Sequence, residues 1–93
     1  MASIRFKVHA IVQMEEREIS IQQVRQALDN GEDIETGHDD HPYPARLVHG
    51  YCPAGALHIA VRDNRADDET IVETVYWPDP LLWEPGFKTR RRN

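Results

Sequence analysis

The sequence contains a single cysteine, Cys52, among 93 residues. One cysteine cannot form a disulfide within the chain, and it excludes a zinc site built from several thiolates. No apolar run approaches the roughly 20 residues that a membrane-spanning helix needs. The opening stretch MASIRFKVHA carries charged residues and lacks the apolar run of a signal peptide. We therefore expect a cytoplasmic protein of one domain with no membrane association.

Basic residues are also in deficit, since 11 Lys and Arg oppose 16 Asp and Glu for a net charge of −5. The deficit lies in residues 29–69, which hold three basic against ten acidic side chains. Residues 1–28 and 70–93 each hold four basic against three acidic side chains. An acidic surface repels nucleic acid, so a protein that coats RNA or DNA is disfavoured. A polyanion would have to meet the two ends of the chain.

Helical patterns are confined to the first third of the chain. Apolar spacing predicts a first helix over residues 6–16, with a short extended lead at residues 3–6. Ser20 followed three positions later by Gln23 predicts a capping box at the start of a second helix. We expect the second helix to end where Gly31 adopts the left-handed conformation.

From residue 32 onward the pattern changes to strands, with four candidates: DIETG, ARLVHGYC, ALHIAVRD and ETIVETVYW. Alternation in the last of these places Ile71 and Val75 on one face and Val72 and Tyr76 on the other. Helices followed by strands are typical of α+β proteins. We predict two N-terminal helices packed on one face of a three- or four-stranded antiparallel sheet. This single domain would span residues 1–87, and residues 88–93 would form a flexible basic tail.

Several motifs, in a fixed order along the chain, resemble a known bacterial family. They are HAIVQMEEREIS, HPYP, LHIAV and TVYWPDPLLW. From about Ile4 to Trp83 the chain resembles the family catalogued as domain of unknown function 4258. The resemblance implies a relationship to the RelE and BrnT toxins, small α+β ribonucleases of toxin–antitoxin pairs that are usually basic, unlike this chain. It also implies an antitoxin partner, in some members one with a zinc-finger region.

Cleavage of RNA without a metal needs a base for the 2′-hydroxyl, a cation for the phosphorane and an acid for the leaving oxygen. Histidine suits the base or the acid, and arginine suits the phosphate. The first helix offers both as His9 and Arg17, about 12 Å apart along its axis, a spacing that suits two groups flanking a nucleotide. Both could equally be structural. His9 could bond a backbone carbonyl, and Arg17 could pair with Glu16, Glu18 or Asp33.

His58 and Tyr76 are expected on the sheet face turned away from the helices. Tyrosine there could donate a proton or stack on a base. Alternatively, His58 is a solvated sheet residue and the ring of Tyr76 packs across the strand pair. The resemblance adds Arg90 and Lys88 as phosphate-binding candidates, because related toxins use a basic residue near the C-terminus. Both could equally belong to a solvated tail.

The stretch HDDHPYP contains four potential metal ligands, His38, Asp39, Asp40 and His41. Their spacing matches neither a helical histidine pair at i and i+4 nor a motif with a third histidine. We therefore predict no metal and no cofactor.

The sequence thus predicts the toxin of a type II toxin–antitoxin pair, acting as a metal-independent mRNA endoribonuclease. The predicted catalytic residues are His9, Arg17, His58 and Tyr76, and the predicted substrate-binding residues are Arg90 and Lys88. The expected partners are mRNA and the antitoxin, and a homodimer is the other assembly that we consider. The alternative is a non-catalytic interaction module of the same fold that binds a basic partner.

Overall fold

A computed structural model describes residues 3–37 and 43–92 of the chain. It is an α+β fold in which two helices precede most of a five-stranded sheet. The elements are β1 (Ser3–Phe6), α1 (Val8–Glu16), α2 (Ile21–Asp29), β2 (Glu32–Thr36), β3 (Ala45–Cys52), β4 (Gly55–Asn64) and β5 (Glu69–Tyr76). The strand order across the sheet is β1-β5-β4-β3-β2.

The sheet is mixed, which corrects the prediction of three or four antiparallel strands. Strands β2 to β5 pair with their neighbours in antiparallel fashion, but β1 pairs with β5 in parallel. In that pairing Ser3 lies opposite Glu69 and Phe6 lies opposite Val72. Four residues are too short to show an alternating pattern. The two helices also separate β1 from its partner in the sequence, so the pairing had no local signal.

The ends of the two helices agree only partly with the ends predicted from the sequence. The capping box of α2 is confirmed: the Gln23 amide donates to Ser20 Oγ at 3.1 Å, and the Ser20 amide donates to Gln23 Oε1 at 2.8 Å. The first helix starts at Val8 rather than Phe6, because Phe6 belongs to β1. The prediction that Gly31 adopts the left-handed conformation is wrong, since the described glycines with positive φ are Gly55 and Gly86. Glycine is needed at position 31 for space, because a Cβ there would lie 2.4 Å from a methyl group of Val48.

Both helices pack on one face of the sheet and form a single core with it. The helices contribute Ala10, Met14, Val24 and Ala27, and β3, β4 and β5 contribute Val48, Cys52, Leu57, Ile59, Val61, Val72 and Val75. Helix α2 sits directly on β3 at Gly50, where a Cβ would come within 1.9 Å of the Ala27 carbonyl oxygen. This contact holds α2 close to the strands that carry the polar face.

A β-bulge in β5 changes which side chains face the helices. Ala60 pairs with Thr74 and Val61 pairs with Val72, so Glu73 is the extra residue. The bulge shifts the alternation by one position, and Val72 joins Val75 in the helix-side core. The prediction that Val72 and Val75 face opposite sides is therefore wrong.

Residues 78–92, here called the C-terminal segment, fold back across the sheet face opposite the helices. Trp83 is buried and forms a backbone bridge with Arg90. The amide of Arg91 donates to the Leu82 carbonyl at 2.9 Å, which closes the turn. Lys88 pairs with Glu32 of β2 in the same region. The flexibility of residues 88–93 stays a prediction.

Within residues 3–37 and 43–92, neither helix has the length and apolar character to cross a lipid bilayer.

Candidate functional site

A cavity of about 540 Å³ lies where the end of α1, the end of β5 and the C-terminal segment meet. Its walls are formed by Arg17, Tyr76, Trp77, Asp79, Leu82, Trp83 and Arg90. The cavity combines two guanidinium groups, a phenol, two indole rings and one carboxylate. Aromatic faces beside guanidinium groups are the usual surroundings of an unpaired nucleotide.

Arg17 reaches the cavity because it is the C-cap residue of α1. Its Nη1 donates to the Val75 carbonyl at 2.6 Å, and its own carbonyl accepts from the indole of Trp77 at 3.0 Å. Gln13, one turn earlier, accepts from the Val75 amide at 3.3 Å. Two side chains of α1 thus hold both backbone groups of one β5 residue. This fixes the position of the Arg17 guanidinium relative to the sheet.

The C-terminal segment contributes Arg90 to the cavity wall. Its guanidinium makes two hydrogen bonds to Glu35, at 2.7 and 3.1 Å, and lies 4.6 Å from the ring centroid of Trp83. The bonds to the Glu35 carboxylate raise the pKa of Arg90 further. The paired carboxylate offsets much of its charge, so Arg17 is the stronger positive centre of the two. Among the described residues, no carboxylate pairs with Arg17 within salt-bridge distance.

Tyr76 joins the cavity to a buried histidine. The Tyr76 hydroxyl and His58 Nδ1 are 3.2 Å apart, and His58 Nε2 is 2.8 Å from the Phe87 carbonyl oxygen. A carbonyl only accepts, so Nε2 carries the proton and Nδ1 accepts from the tyrosine hydroxyl. His58 is 0% exposed, and its burial lowers its pKa to about 4 despite the bond to Phe87. Burial also raises the pKa of Tyr76.

A second buried histidine, His49, lies beside the first. His49 and His58 are partners across β3 and β4, and their ring centroids are 5.2 Å apart. Among the described residues, neither ring nitrogen of His49 has a hydrogen-bond partner. Burial lowers the pKa of His49, with a smaller contribution from Lys88. Burial therefore disfavours the charged form of both imidazoles.

The structure brings together three of the six predicted site residues, namely Arg17, Tyr76 and Arg90. His58 lies behind Tyr76 and does not reach the cavity surface. His9 is exposed on α1, where its Nε2 accepts from the Gln13 side chain at 2.9 Å, and it does not line the cavity. Lys88 does not line the cavity either, and pairs with Glu32.

Sequence reasoning missed four residues of the cavity wall: Trp77, Asp79, Leu82 and Trp83. They lie in the stretch WPDPLLW, whose aromatic residues and prolines were visible. Nothing in the local pattern showed that this stretch would return to the end of α1. The stretch WPDPLLW follows β5, which lies next to β4 and packs against α1, and this strand order brings the stretch to the end of α1.

The described residues contain no group of three or more His, Cys, Asp or Glu side chains arranged to hold a metal ion. His38, Asp39, Asp40 and His41 lie outside the described residues.

The family model described as "Domain of unknown function (DUF4258)" matches residues 6–77. The chain belongs to this family. No curated protein and no solved structure matches the chain. The DUF4258 region contains Arg17, His58 and Tyr76, whereas the outer wall of the cavity, from Asp79 to Arg90, follows it. The cavity is thus built jointly by the DUF4258 domain and the C-terminal segment.

Proposed function

We propose that this protein is the toxin of a type II toxin–antitoxin pair and cleaves single-stranded mRNA in the Arg17 cavity without a metal. The observation that carries the proposal is the meeting of Arg17, Tyr76 and Arg90 in one cavity, although they come from distant parts of the chain. Arginine forks suit a phosphodiester, and the partly exposed indole of Trp77 suits an unstacked base. The relationship to RelE and BrnT toxins is part of this proposal.

Substrate binding is assigned to Arg17, Arg90 and Trp77. Arg17 holds the scissile phosphate and stabilises the charge of the phosphorane, and Arg90 supports the same phosphate. Trp77 is only partly buried, so its ring can accept a base by stacking. The cavity has room for a nucleotide, which fits recognition of a single-stranded segment.

Proton transfer is assigned to Tyr76, with His58 as a positioning residue behind it. The Tyr76 hydroxyl takes the proton of the 2′-hydroxyl and passes its own proton to His58 Nδ1. The 2′-oxygen bonds to phosphorus, the bond to the 5′-oxygen breaks, and the proton returns through Tyr76 to that oxygen. The products are a 2′,3′-cyclic phosphate and a free 5′-hydroxyl. The Phe87 carbonyl accepts from Nε2 throughout and holds the imidazole in this orientation.

The buried histidine makes the proposed reaction slow. A pKa of about 4 makes His58 a weak base at neutral pH. We therefore expect cleavage to be measurable in single-turnover assays with excess protein. An antitoxin that binds over the cavity would block cleavage, since Leu82 and Arg17 of the cavity wall are exposed.

The test is incubation of the purified protein with a labelled single-stranded RNA in the presence of EDTA. We expect products ending in a 2′,3′-cyclic phosphate or a 3′-phosphate. Arg17→Gln should lower the rate about 100-fold, as for loss of one charge-stabilising group. Arg25→Gln, at an exposed arginine on α2, is the matched control and should keep the rate. No cleavage by the wild-type protein, together with unaffected growth on induction, contradicts the proposal.

A non-catalytic interaction module is the second candidate, favoured by one observation. The basic side chains that the C-terminal segment brings to β2 are paired with carboxylates, Lys88 with Glu32 and Arg90 with Glu35. In this case the cavity would bind a peptide of the partner. Binding of a partner without RNA cleavage, lost on Leu82→Glu and kept on Arg17→Gln, would support the module.

A further inference from the structure

A second cavity, of about 280 Å³, lies on the sheet face opposite the helices and is here called the Ala60 cavity. Four of its lining residues are neighbours in the strand register and form one row across the sheet. The row runs through Glu35 on β2, Leu47 on β3, Ala60 on β4 and Thr74 on β5. Because Ala60 carries only a methyl group between the longer side chains of Leu47 and Thr74, the middle of the row is hollow.

The Ala60 cavity adjoins the Arg17 cavity, since Tyr76 and Arg90 line both. Tyr76 follows Thr74 by two residues on β5, so it lies one row further along the same sheet face, about 7 Å away. Arg90 is held beside the row by its two hydrogen bonds to Glu35. A step of about 7 Å is comparable to the spacing of successive nucleotides in an extended single strand.

The charged side chains in the described wall of the Ala60 cavity all take part in ion pairs within the molecule. The pairs are Arg90 with Glu35, Arg46 with Asp33 and Asp63, and Glu73 with Lys7 and Arg62. Each arginine of this wall therefore already holds a carboxylate, which disfavours binding of a phosphate. The hydroxyls of Thr36 and Thr74 can donate or accept hydrogen bonds. The wall thus suits an uncharged ring with polar edges, such as a nucleobase.

We propose that the Ala60 cavity is a second RNA subsite, which takes the base of the nucleotide next to the one whose phosphate Arg17 holds. This inference rests on the proposed function and adds that full affinity requires at least a dinucleotide. The base lies over Ala60, contacts the ring of Tyr76 and forms hydrogen bonds with the threonine hydroxyls. A single nucleotide occupies the Arg17 cavity alone.

Titration of the wild-type protein with two probes tests the subsite. The probes are a 2′-O-methyl nucleoside 3′-monophosphate and the corresponding 2′-O-methyl dinucleotide, neither of which can be cleaved. The mononucleotide should shift the indole resonance of Trp77 and leave the methyl resonance of Ala60 in place. The dinucleotide should shift both resonances to saturation and bind at least about fivefold more tightly, as for the contact of one further base with an aromatic ring.

Ala60→Leu tests the same subsite by filling the hollow. It should lower the affinity for the dinucleotide to that for the mononucleotide and leave mononucleotide binding unchanged. Ala56→Leu is the matched control, because Ala56 is a half-buried alanine on the same strand and the same face that does not line the cavity. It should bind both probes like the wild type, and circular dichroism should show both variants folded.

Two results would overturn the subsite and leave the Arg17 cavity in place. The first is dinucleotide binding that shifts the Trp77 indole but not the Ala60 methyl group, which the wild-type protein shows without any substitution. The second is a folded Ala60→Leu variant that binds the dinucleotide as tightly as the wild type. Absence of binding by both probes contradicts the proposed function and the subsite together.

Discussion

Among the single residues, the buried imidazoles of His49 and His58 link the proposed chemistry to the stability of the fold. His58 hydrogen-bonds to Tyr76 and to the Phe87 carbonyl, and His49 packs against it without a partner among the described residues. A buried neutral histidine resists protonation because the charged form loses its hydration. The same environment that positions Tyr76 for proton transfer therefore also makes the fold sensitive to acid.

Stability should fall as the pH is lowered from about 6.5 to 4. In this range the unfolded chain protonates residue 58, with an ordinary pKa near 6.5, before the folded protein does, with a pKa of about 4. The contribution of His58 is complete above pH 6.5, and about 2 to 3 kcal/mol is lost by pH 4.5. The lowered pKa of His49 acts in the same direction. Urea unfolding at several pH values measures the loss.

A substitution at residue 58 shows whether the buried imidazole causes this pH dependence. His58→Gln should flatten the slope, even if the variant is less stable at pH 7. An equal slope in the wild type and His58→Gln would show that the buried imidazole is not the group responsible.

The Tyr76→Phe substitution tests the role of the tyrosine hydroxyl in RNA cleavage and in stability separately. Loss of the hydroxyl leaves His58 Nδ1 without a donor and should cost about 1 to 3 kcal/mol in the free energy of unfolding. RNA cleavage should fall at least about 100-fold, because the proposed proton path is broken. Tyr51→Phe removes an exposed hydroxyl and is the control for both measurements. Cleavage by folded Tyr76→Phe at the wild-type rate would remove Tyr76 from the mechanism.

At the scale of elements, the close contact between α2 and β3 fixes the frame on which the site is built. Gly50 leaves no space for a side chain, since a Cβ would come within 1.9 Å of the Ala27 carbonyl oxygen. Both groups belong to regular backbone, so neither can move without displacing its whole element. The helix layer therefore lies at a set distance from the strands.

Gly50→Ala should destabilise the protein by about 3 kcal/mol or more, because overpacking against backbone forces α2 away from β3. Gly37→Ala is the control. The new Cβ would lie 3.0 Å from the Cβ of Ala45 at an exposed position, so this substitution should lower the free energy of unfolding much less. Thermal or chemical unfolding compares the two variants. Equal stabilities would mean that α2 and β3 do not pack as closely as the structure places them.

Local sequence patterns were sufficient for some elements and insufficient for others. The capping box of α2 depends on residues three positions apart, so the sequence alone predicted it. The parallel pairing of β1 with β5 and the bulge at Glu73 depend on partners distant in the sequence, and neither was predicted. The residues of the candidate site were also only partly predictable from local patterns. Arg17 and Tyr76 were identified by residue type, but the cover over His58 came from the distant C-terminal segment.

At the scale of the whole molecule, the uneven charge of the chain is partly neutralised by folding. The acidic residues of β2 meet basic residues from elsewhere: Glu32 meets Lys88, Glu35 meets Arg90, and Asp33 meets Arg46. The basic end that the sequence offered to a polyanion is thus largely paired within the molecule. Among the described residues of the cavity wall, Arg17 is the arginine without a paired carboxylate, so it is the proposed phosphate ligand.

Trp77 and Trp83 are the only tryptophans in the sequence, and both line the cavity. The most direct test is therefore the pair of indole N–H resonances in ¹H–¹⁵N spectra during titration with a single-stranded RNA whose 2′-O-methyl groups prevent cleavage. The account predicts that both resonances shift together and saturate, and that Arg17→Gln weakens the binding. Saturable RNA binding that leaves both indole resonances in place, or no binding at all, would contradict it.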